Sequence, residues 1–377
     1  MTGDELALAA RTDSERDRFR FRTAQGVHSH DAFRTGDLLA LDALWDRDLG
    51  DLLAVEPGYG VTGVVLGATA DSVTMAESSA RAAALCRRNA ERNGVEAAVE
   101  LVARLSSLGE RPDGGFDTAV YVPKPYVPLE LAQQRIVDAL ARLRPGGTIY
   151  LAATTQTGLT RFESCLDRHA RSSETVTGRG DWALTRATRP RRFESPTLVE
   201  SRQVTATVDG TPMTLVTEPG LFAAGGLDAG TRLLCETIEA SAGERVLDLC
   251  CGYGPVGTHA ALTAGCDVWL TDDDRRATAC AEATLAANGV SGTVETADGV
   301  TSVSDRSVDL VVCNPPTHAG DAVLRDICEG AASVLSAGGQ FSLVHHRSLD
   351  LRDHLGPFGT VQRVATGAQH VVLEARR

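Results

Sequence analysis

The same sequence pattern occurs twice in this chain, and this repeat constrains the fold more than any other feature. The matched segments are Leu53–Gly63 with Leu247–Gly257, and Asn89–Val95 with Thr284–Val290. Matched glycines lie about 195 residues apart in both pairs, which is typical of a tandem duplication. A chain of 377 residues is also long for one domain. We therefore predict two domains, residues 1–190 and residues 191–377.

The second copy of the pattern predicts a strand, a glycine loop and a helix. An apolar run that begins at Arg245 leads into Gly252 and Gly254, and glycines there let a ligand approach the backbone. Pro255 is suited to the first turn of the helix that follows. The loop lacks the Gly-Lys-Ser/Thr of a phosphate-binding loop, and Asp248 at the end of the strand favours a cationic ligand over a phosphate.

Carboxylates follow the next two predicted strands. The strand Asp267–Thr271 runs into the triplet Asp272–Asp274 about 20 residues after the glycines, where a carboxylate can accept hydrogen bonds from ribose hydroxyls. We expect Asp274 to cap the following helix and to leave Asp272 free for that role. Asp298 follows the next strand and either meets an adenine amine or is a solvated loop acid. The predicted ligand is therefore a nucleoside without phosphates.

Asn314-Pro315-Pro316 follows the apolar run Asp309–Cys313, so it lies at the carboxyl end of another predicted strand, where open α/β sheets bind ligands. Proline fixes φ and has no N–H, so the side-chain and main-chain carbonyl oxygens of this turn can face one point. Two acceptors at one point suit an exocyclic amine. An ordinary Asn-Pro turn is the alternative interpretation of the tripeptide alone.

The end of the chain completes an α/β sheet in the sequence pattern. A helix predicted over residues 321–335 leads through Gly338 and Gly339 into a strand at residues 340–344. Residues 360–365 and 370–375 are predicted to form a closing antiparallel pair. The predicted architecture is a doubly wound sheet.

The order of glycine loop, three acids and Asn-Pro-Pro resembles the class I S-adenosylmethionine-dependent methyltransferases that act on an amine nitrogen. Four segments more narrowly resemble the ribosomal RNA guanine-N2 methyltransferases of the RsmC type: Pro219–Phe222, Gly226–Leu234, Ala286–Val290 and Asn314–His318. The resemblance covers residues 220–377 well and is weaker upstream. It implies two tandem Rossmann-like methyltransferase domains with mostly parallel seven-stranded sheets, the first degenerate, and S-adenosylmethionine as the cofactor.

The resemblance also implies roles for single residues. Asp248 and the loop Gly252–Gly254 would hold the methionine end of the cofactor, Asp272 the ribose and Asp298 the adenine. Asn314 and Pro315 would hold the target amine. The implied cofactor set also contains Phe222, Asp228, Cys250 and Asp273, and the implied catalytic set also contains Pro316, Thr317 and His318.

Two positions depart from the family pattern. Glycine is usual where this chain has Cys250, and a non-glycine residue with positive φ costs about 1 kcal/mol. An aromatic residue is usual where it has Thr317, which cannot stack on a base. His318, Tyr253 and Phe222 are the candidates for a substitute ring.

The first copy of the pattern lacks the residues that carry the implied chemistry. Val122 and Lys124 stand where the second copy has Asn314 and Pro316, Ala54 stands for Asp248, and Arg34 stands for Asp228. We therefore predict a pseudo-catalytic first domain, and the resemblance implies that this domain assists folding and RNA contact.

Charge divides unevenly between the two halves. Residues 1–190 contain 23 basic and 26 acidic residues, a net charge of −3, and the remainder contains 14 basic and 24 acidic residues, which completes the total of −13. Arg16–Arg22 holds four arginines, and Arg179–Arg192 holds five against one aspartate. These runs are candidates for contacts with RNA phosphates, and solvated surface runs are the alternative.

We predict a cytoplasmic methyltransferase that modifies a guanine exocyclic amine in ribosomal RNA, within the small subunit. The alternatives are methylation of adenine or cytosine in nucleic acid or of glutamine in protein, and a catalytically weakened RNA-binding or assembly factor. The nine scattered cysteines predict core residues rather than a metal site. No apolar run approaches the roughly 18 residues of a membrane span. The duplication can itself supply a pairing surface, which favours a monomer.

Overall fold

The structure, a computed structural model, describes residues 5–10, 17–110, 114–303 and 308–377. Its contacts divide the chain into two units, Met1–Val199 and Glu200–Arg377, here called unit 1 and unit 2. The division lies beyond the predicted boundary at residue 190 because the segment after that residue packs on unit 1. Gln134 Oε1 accepts hydrogen bonds from the Leu198 and Val199 amides at 2.6 and 3.1 Å.

Unit 1 contains a hairpin followed by alternating helices and strands. Its elements are β1 (Glu5–Ala9), β2 (Arg18–Arg22), α1 (Thr35–Leu44), β3 (Asp51–Val55), α2 (Val61–Gly67), β4 (Ser72–Glu77), α3 (Ala80–Arg92), β5 (Ala98–Leu101), β6 (Phe116–Tyr121), α4 (Leu129–Arg142), β7 (Leu143–Thr154), α5 (Leu159–His169), β8 (Ser172–Arg179) and β9 (Trp182–Thr188). The order is that expected of a doubly wound α/β domain.

Unit 2 repeats this order. Its elements are β10 (Arg202–Val208), β11 (Thr211–Thr217), α6 (Ala229–Thr237), β12 (Arg245–Leu249), α7 (Pro255–Ala264), β13 (Asp267–Asp272), α8 (Arg275–Ala287), β14 (Thr293–Thr296), β15 (Val308–Cys313), α9 (Asp321–Val334), β16 (Leu335–His346), β17 (Thr360–Thr366) and β18 (His370–Arg376). The predicted helix that begins at residue 321 and the predicted closing strand pair are therefore confirmed.

The two seven-stranded sheets have the same topology. Their orders are β5-β4-β3-β6-β7-β9-β8 and β14-β13-β12-β15-β16-β18-β17. The first five strands of each sheet pair in parallel, and the last two strands pair antiparallel. The predicted fold of two mostly parallel seven-stranded sheets is confirmed. In each sheet the strand order reverses next to the central strand, β3 or β12, which is where open α/β sheets bind ligands.

Each unit also carries a two-stranded antiparallel hairpin, β1–β2 or β10–β11, that was not predicted from the sequence. Asparagines attach each hairpin to a helix of the same unit. Asn93 at the end of α3 accepts from the Arg20 amide at 2.9 Å and donates to the Arg20 carbonyl at 2.8 Å. Asn288 at the end of α8 makes the same pair of bonds to Thr214, at 2.9 and 2.7 Å. The duplication therefore includes the hairpins.

Apolar side chains cover both faces of the central strands. In β12, Leu247 and Leu249 face one buried cluster, which also contains Phe341, whereas Val246 faces the cluster on the other side. Strands buried on both faces form nearly continuous apolar runs, and Asp248 interrupts this run with a carboxylate. A buried charge at this point requires a compensating partner.

The cysteines lie mostly in the core, as the sequence predicts. All nine cysteines are free, eight of them are buried, and Cys250 is partly exposed, so the predicted core role is confirmed for eight. Within the described ranges, no helix is both long enough and apolar enough to cross a membrane. The same ranges contain no cluster of three or more His, Cys, Asp or Glu side chains arranged to hold a metal ion.

Candidate active site

The predicted site residues of unit 2 lie along one edge of its sheet. Asp248 is in β12, and the loop after this strand contains Cys250 and Gly252. Asp272 ends β13, and Asn314 follows β15, the parallel neighbour of β12 on its other side. The carboxyl ends of three adjacent parallel strands therefore bring these groups together.

The loop between β12 and α7 has an unusual backbone. Cys250, Gly252 and Gly254 have φ of 61°, 56° and 80°. A Cβ at Gly254 would lie 2.8 Å from a methyl carbon of Leu270, so glycine is needed there for the helix to pack on the sheet. A Cβ at Gly252 would meet open space, so its backbone is accessible to a ligand. Cys250 is a non-glycine residue in a strained conformation.

Asp248 is a nearly inaccessible carboxylate at the end of the central strand. Only 2% of its surface is exposed, and its Oδ2 accepts a hydrogen bond from the Gly257 amide at 2.8 Å. The pKa of Asp248 is raised to about 7, because burial and, to a lesser extent, the nearby charge of Asp272 outweigh the lowering effect of that hydrogen bond. Gly257, in the first turn of α7, was not among the predicted site residues.

Asp272 does not cap α8, but its carboxylate accepts hydrogen bonds from two backbone amides. Its Oδ2 accepts from the Gly252 amide and its Oδ1 from the Asp274 amide, both at 2.9 Å. Each oxygen retains acceptor capacity, so ribose hydroxyls can still donate to it. Burial raises the pKa of Asp272 to about 7, while these two hydrogen bonds lower it. Asp274 caps α8 as predicted, with its carboxylate accepting from the Arg276 amide at 2.9 Å.

Asp273 and Asp298 flank Asp272 and are both partly exposed. The amide of Ala297, one residue before Asp298, donates to the Asp272 carbonyl at 2.9 Å, so the two loops run side by side at the sheet edge. The loops that carry the predicted ribose and adenine acids are therefore neighbours at the sheet edge.

Asn314 is oriented by a residue that was not predicted. Its Nδ2 donates to Thr231 Oγ1 at 2.9 Å, and Thr231 is buried near the start of α6. Asp228 caps this helix, and its carboxylate accepts from the Gly230 and Thr231 amides at 2.9 and 3.1 Å. The described contacts thus give Asp228 a capping role. The pattern Asp-x-x-Thr before an apolar run was the sequence signal for this arrangement.

Residues after Asn314 turn from the interior to the surface. Pro315 is buried, Pro316 is partly exposed, and Thr317 and His318 are exposed. With its Nδ2 used by Thr231, Asn314 has its amide oxygen available for a donor. The turn therefore leads from an oriented amide to an accessible rim.

Phe222 projects from a loop that is fixed at two points. It is 69% exposed, whereas Tyr253 is 3% exposed and donates to the carbonyls of Gly226 and Ala223 at 3.0 and 3.3 Å. Arg276 forms a 2.7 Å ion pair with Glu218 at the start of this loop. Tyr253 is therefore a buried residue that anchors this loop, and it is no longer a candidate for a ring that stacks on a base.

Unit 1 shows how the rim positions of Phe222 and His318 relate to each other. Their counterparts by sequence alignment are His28 and Tyr126, whose rings meet edge to face with centroids 5.5 Å apart. Tyr126 is also exposed, by 65%. In unit 1 the side chains at these two positions are therefore in contact with each other.

The charges of the unit 2 edge fit a cationic nucleoside cofactor. Asp248 is buried and Asp272 is partly exposed, both have a raised pKa, and no ion pair reaches either carboxylate within the described part of the chain. A buried carboxylate ionises more readily beside a positive charge. The sulfonium of S-adenosylmethionine supplies such a charge, and the open backbone at Gly252 leaves room for it.

The same edge of unit 1 carries its own cations. Lys124 Nζ lies 4.0 Å from Oε2 of Glu77, the counterpart of Asp272, and Glu77 Oε1 accepts from the Gly58 amide at 2.5 Å. Burial lowers the pKa of Lys124, but Glu77 and Glu56 outweigh that effect and raise it above its ordinary value. Glu56 is the counterpart of Cys250 and also has a positive φ, and its carboxylate pairs with Arg135.

A second ion pair fills the position of the amide site in unit 1. Arg34 donates to both carboxylate oxygens of Asp37 at 2.7 Å and to the Val122 carbonyl at 2.9 Å. These three residues are the counterparts of Asp228, Thr231 and Asn314. Arg34 and Asp37 have side-chain exposures of 8% and 2%. The amide position of unit 1 is therefore closed by an internal ion pair.

Comparisons with known proteins agree with this fold and site. The family model described as methyltransferase small domain matches residues 18–186 and again residues 212–374. A ribosomal RNA large subunit methyltransferase G from Streptomyces griseus is 32% identical, with 94% of this chain aligned to 99% of that protein. A ribosomal RNA small subunit methyltransferase C from Pseudomonas paraeruginosa is 31% identical, with 71% of this chain aligned to 81% of that protein.

A solved structure resembles the whole chain. The T. thermophilus 16S rRNA N2 methyltransferase RsmC, in complex with AdoMet and guanosine, has a TM-score of 0.81 and 25% identity, and the match covers 99% of this chain and 98% of that one. The fold and the site define a nucleoside-cofactor transferase with one intact and one altered copy. The chain belongs to the methyltransferase small domain family. It is a class I S-adenosylmethionine-dependent methyltransferase of the RsmC type with two tandem domains.

Proposed function

We propose that this enzyme methylates the exocyclic N2 of a guanine in the ribosomal RNA of the small subunit, through unit 2. The observation that carries the proposal is Asn314, an amide oriented by Thr231 at the reversal point of the sheet, at the same sheet edge as the carboxylates of Asp248 and Asp272. The relatives support RNA as the substrate, since they are named as methyltransferases of ribosomal RNA. The guanosine in the T. thermophilus complex supports guanine.

The residues of unit 2 have distinct roles in this proposal. Asp248 and the Gly252–Gly254 backbone hold the methionine end of the cofactor, and Asp272, Asp273 and Asp298 hold its nucleoside. S-adenosylmethionine supplies a methyl group on a positively charged sulfur. The raised pKa of Asp248 and Asp272 falls when a cation is bound, so both carboxylates are ionised in the loaded enzyme.

The amide and the proline carbonyl orient the acceptor. The Asn314 amide oxygen and the Pro315 carbonyl accept the two N–H groups of the guanine amine, which leaves the nitrogen lone pair directed toward the methyl carbon. Such a transfer depends on positioning more than on a strong base. The amine nitrogen would accept the methyl group as the methyl–sulfur bond breaks and the neutral sulfide leaves with the bonding electrons, and the nitrogen would then lose a proton to solvent. Thr231 acts through Asn314 as a positioning residue, and Asp228 holds Thr231 through the cap of α6.

Phe222 and His318 complete the proposed substrate site. A base extruded from an RNA helix needs aromatic surfaces, each worth roughly 1–3 kcal/mol, and Thr317 supplies none. The exposed ring of Phe222 and the exposed imidazole of His318 are expected to lie near each other, by analogy with the contact between His28 and Tyr126. This proposal moves Phe222 from the cofactor set to the substrate set.

The test is methyl transfer from labelled S-adenosylmethionine to a panel of acceptors. The panel contains small and large ribosomal subunits, naked ribosomal RNA, transfer RNA, duplex DNA and a release-factor protein. We expect label in small-subunit RNA, recovered as N2-methylguanosine after digestion to nucleosides and mass spectrometry. Label in the large subunit would correct the subunit, and label in DNA or protein would replace the substrate class. Cofactor binding without transfer to any acceptor would instead support the assembly-factor alternative.

The predicted cellular setting remains part of the proposal. An enzyme that modifies ribosomal RNA meets its substrate in the cytoplasm, and a monomer is expected from the duplication. Fractionation and light scattering test these two expectations.

A further inference from the structure

Strand β2 of unit 1 presents a row of arginines. Arg18, Arg20 and Arg22 are exposed, and the intervening Phe19 and Phe21 are 2% and 0% exposed. Alternate residues of a strand point to one face and lie about 6.5 Å apart. The hairpin therefore buries its phenylalanines and displays three guanidinium groups on one surface.

Helix α3 adds a second row beside the first. Arg88 and Arg92 are exposed and lie one turn apart, so they share a face of the helix. Asn89, adjacent to that face, accepts from the Arg22 amide at 2.7 Å and donates to the Arg22 carbonyl at 2.9 Å. Asn93 makes the corresponding bonds to Arg20. These bonds hold the helix row against the strand row.

Acidic residues near these arginines neutralise only part of their positive charge. Glu5 on β1 pairs with Arg20 at 2.9 Å and with Arg92 at 2.6 Å, and its hydrogen bond from Arg20 lowers the pKa of Glu5. One carboxylate thus joins the two rows. The other exposed acids of these two elements and their approach are Asp17 before β2 and Glu91 on α3. On β1, the residues opposite Arg18 and Arg20 are Ala9 and Ala7, which leave the guanidinium groups accessible.

Unit 2 provides an internal control for the same scaffold. Its hairpin is attached to α8 by Asn288, which binds Thr214 as Asn93 binds Arg20, and by Thr284, which binds Val216 where Asn89 binds Arg22. The counterparts of the five arginines are Pro212, Thr214, Val216, Ala283 and Ala287. None of these side chains is charged, so arginine is not required for the hairpin to pack on its helix.

We propose that Arg18, Arg20, Arg22, Arg88 and Arg92, together called the arginine face, bind phosphates of the ribosomal RNA substrate. The proposal rests on the proposed function and adds the surface by which unit 1 engages that substrate. Guanidinium groups bind phosphate oxygens in a bidentate manner. Five of them on one surface form a basic footprint in a chain whose net charge is −13.

The arginine face differs from the other predicted arginine run in its arrangement. Its arginines lie on one strand and one helix that Asn89 and Asn93 hold together, whereas the other run spans β8, β9 and the segment that follows β9. In each set two arginines have an ion pair among the residues that the structure describes: Arg20 and Arg92 pair with Glu5, Arg179 pairs with Asp42, and Arg186 pairs with Glu174. In the predicted run Arg16–Arg22, Arg16 lies outside the described residues.

The test compares two triple variants of the full-length chain. Arg18→Gln/Arg22→Gln/Arg88→Gln leaves the Glu5 bridge intact, and Arg161→Gln/Arg168→Gln/Arg171→Gln makes the same change in charge around α5. Binding of small-subunit ribosomal RNA is measured at several salt concentrations. We expect at least tenfold weaker binding at low salt for the first triple only, and a slope of log K against log salt that is shallower by about 2–3, since each lost phosphate contact removes roughly 0.7–0.9.

Each outcome has a defined meaning. Equal affinities of both triples for RNA would overturn the proposal, as would loss of binding to intact subunits with unchanged binding to naked RNA, which points to a ribosomal protein as the partner. Unchanged cofactor affinity and melting temperature establish that both triples are folded. If the wild-type enzyme methylates no RNA but still binds it through the arginine face, the proposed function fails and this inference stands.

Discussion

The two units present the same sheet edge with different charge balances. In unit 2, Asp248 is buried and Asp272 is partly exposed, no ion pair reaches either carboxylate within the described residues, and their charge suits a cationic ligand. In unit 1, Lys124 lies beside the carboxylate of Glu77, and Arg34 donates to the carbonyl of Val122, the counterpart of Asn314. Duplication has therefore produced one copy that needs a ligand at this edge and one copy that neutralises the edge with its own side chains.

The largest expected effect on methyl transfer comes from Asn314, which is replaced by Val122 in unit 1. Asn314→Ala should lower methyl transfer at least 100-fold, because removal of a positioned group that aligns the reacting amine costs this much or more. Cofactor affinity should stay within a few-fold. Tyr126→Ala, at the exposed counterpart of His318 in unit 1, should leave transfer within twofold. Transfer that survives Asn314→Ala would refute the assigned amine acceptor.

The internal cation of unit 1 should be necessary for its stability. Lys124→Met leaves Glu77 buried without that partner and should lower the free energy of unfolding by about 3–5 kcal/mol in chemical denaturation at pH 7.5. Glu77→Gln/Lys124→Met should recover most of the loss, since glutamine can still accept from the Gly58 amide. If Lys124→Met is as stable as wild type, the pair of Lys124 and Glu77 does not stabilise unit 1.

The carboxylate of Asp248 should destabilise unit 2 in the absence of ligand. Its pKa of about 7 exceeds the ordinary unfolded value of about 3.9, so the folded state binds more protons and stability falls as pH rises from about 4 to about 7. Asp248→Asn keeps an acceptor for the Gly257 amide and should raise stability by about 1–3 kcal/mol at pH 7.5, with little difference near pH 4.

The same variant should bind cofactor at least tenfold more weakly, because it lacks the charge that faces the sulfonium. Denaturation across this pH range and calorimetric titration measure both effects. A variant that loses stability at pH 7.5 would contradict the claim that the carboxylate is retained for the ligand.

The role of Phe222 separates a cofactor contact from a substrate contact. Phe222→Ala should raise the KM for RNA roughly tenfold, in line with about 1–3 kcal/mol for stacking on one base, and should leave cofactor affinity unchanged. Phe222→Tyr should restore the wild-type KM, and His28→Ala in unit 1 serves as the matched control. Weaker cofactor binding by Phe222→Ala would return this residue to the cofactor set.

The smallest effect concerns the strained backbone that both units share. Cys250→Gly should stabilise unit 2 by about 1 kcal/mol, because glycine adopts a φ of 61° without a Cβ clash. Glu56→Gly in unit 1 relieves the same strain but removes the partner of Arg135, so it should lower stability. Melting temperatures of the two variants check the opposite signs. A shift of the same sign in both would indicate that strain and ion pairing are not the controlling terms.

Much of the fold was predictable because duplication and strand spacing are local signals. The two glycine loops, the order of strands and the closing antiparallel pair follow from apolar runs and glycine positions. The hairpins β1–β2 and β10–β11 were not predicted, since their stability depends on asparagines about 70 residues away in sequence, Asn93 and Asn288. Register between such distant segments is fixed by packing rather than by the local pattern.

The site was predictable at the level of residue types and less so at the level of contacts. Asn314 and Asp248 were identified from strand ends, but Thr231, which orients Asn314, comes from a helix 83 residues earlier. Asp274 caps α8 and Asp272 does not, as expected, yet backbone amides on both sides of Asp272 use its oxygens. Side-chain hydrogen bonds to distant backbone have no sequence period, so they require the structure.

The cation beside Glu77 in unit 1 is a side chain, whereas the cation expected beside the acids of unit 2 is a diffusible ligand. A ligand that binds only the folded state stabilises it by RT ln(1 + [L]/Kd), so the folded population of unit 2 rises and falls with the concentration of S-adenosylmethionine. The ammonium of Lys124 is part of the chain and cannot diffuse away. The cation beside Glu77 is therefore present at every concentration of S-adenosylmethionine, whereas we expect the stability of unit 2 to vary with that concentration.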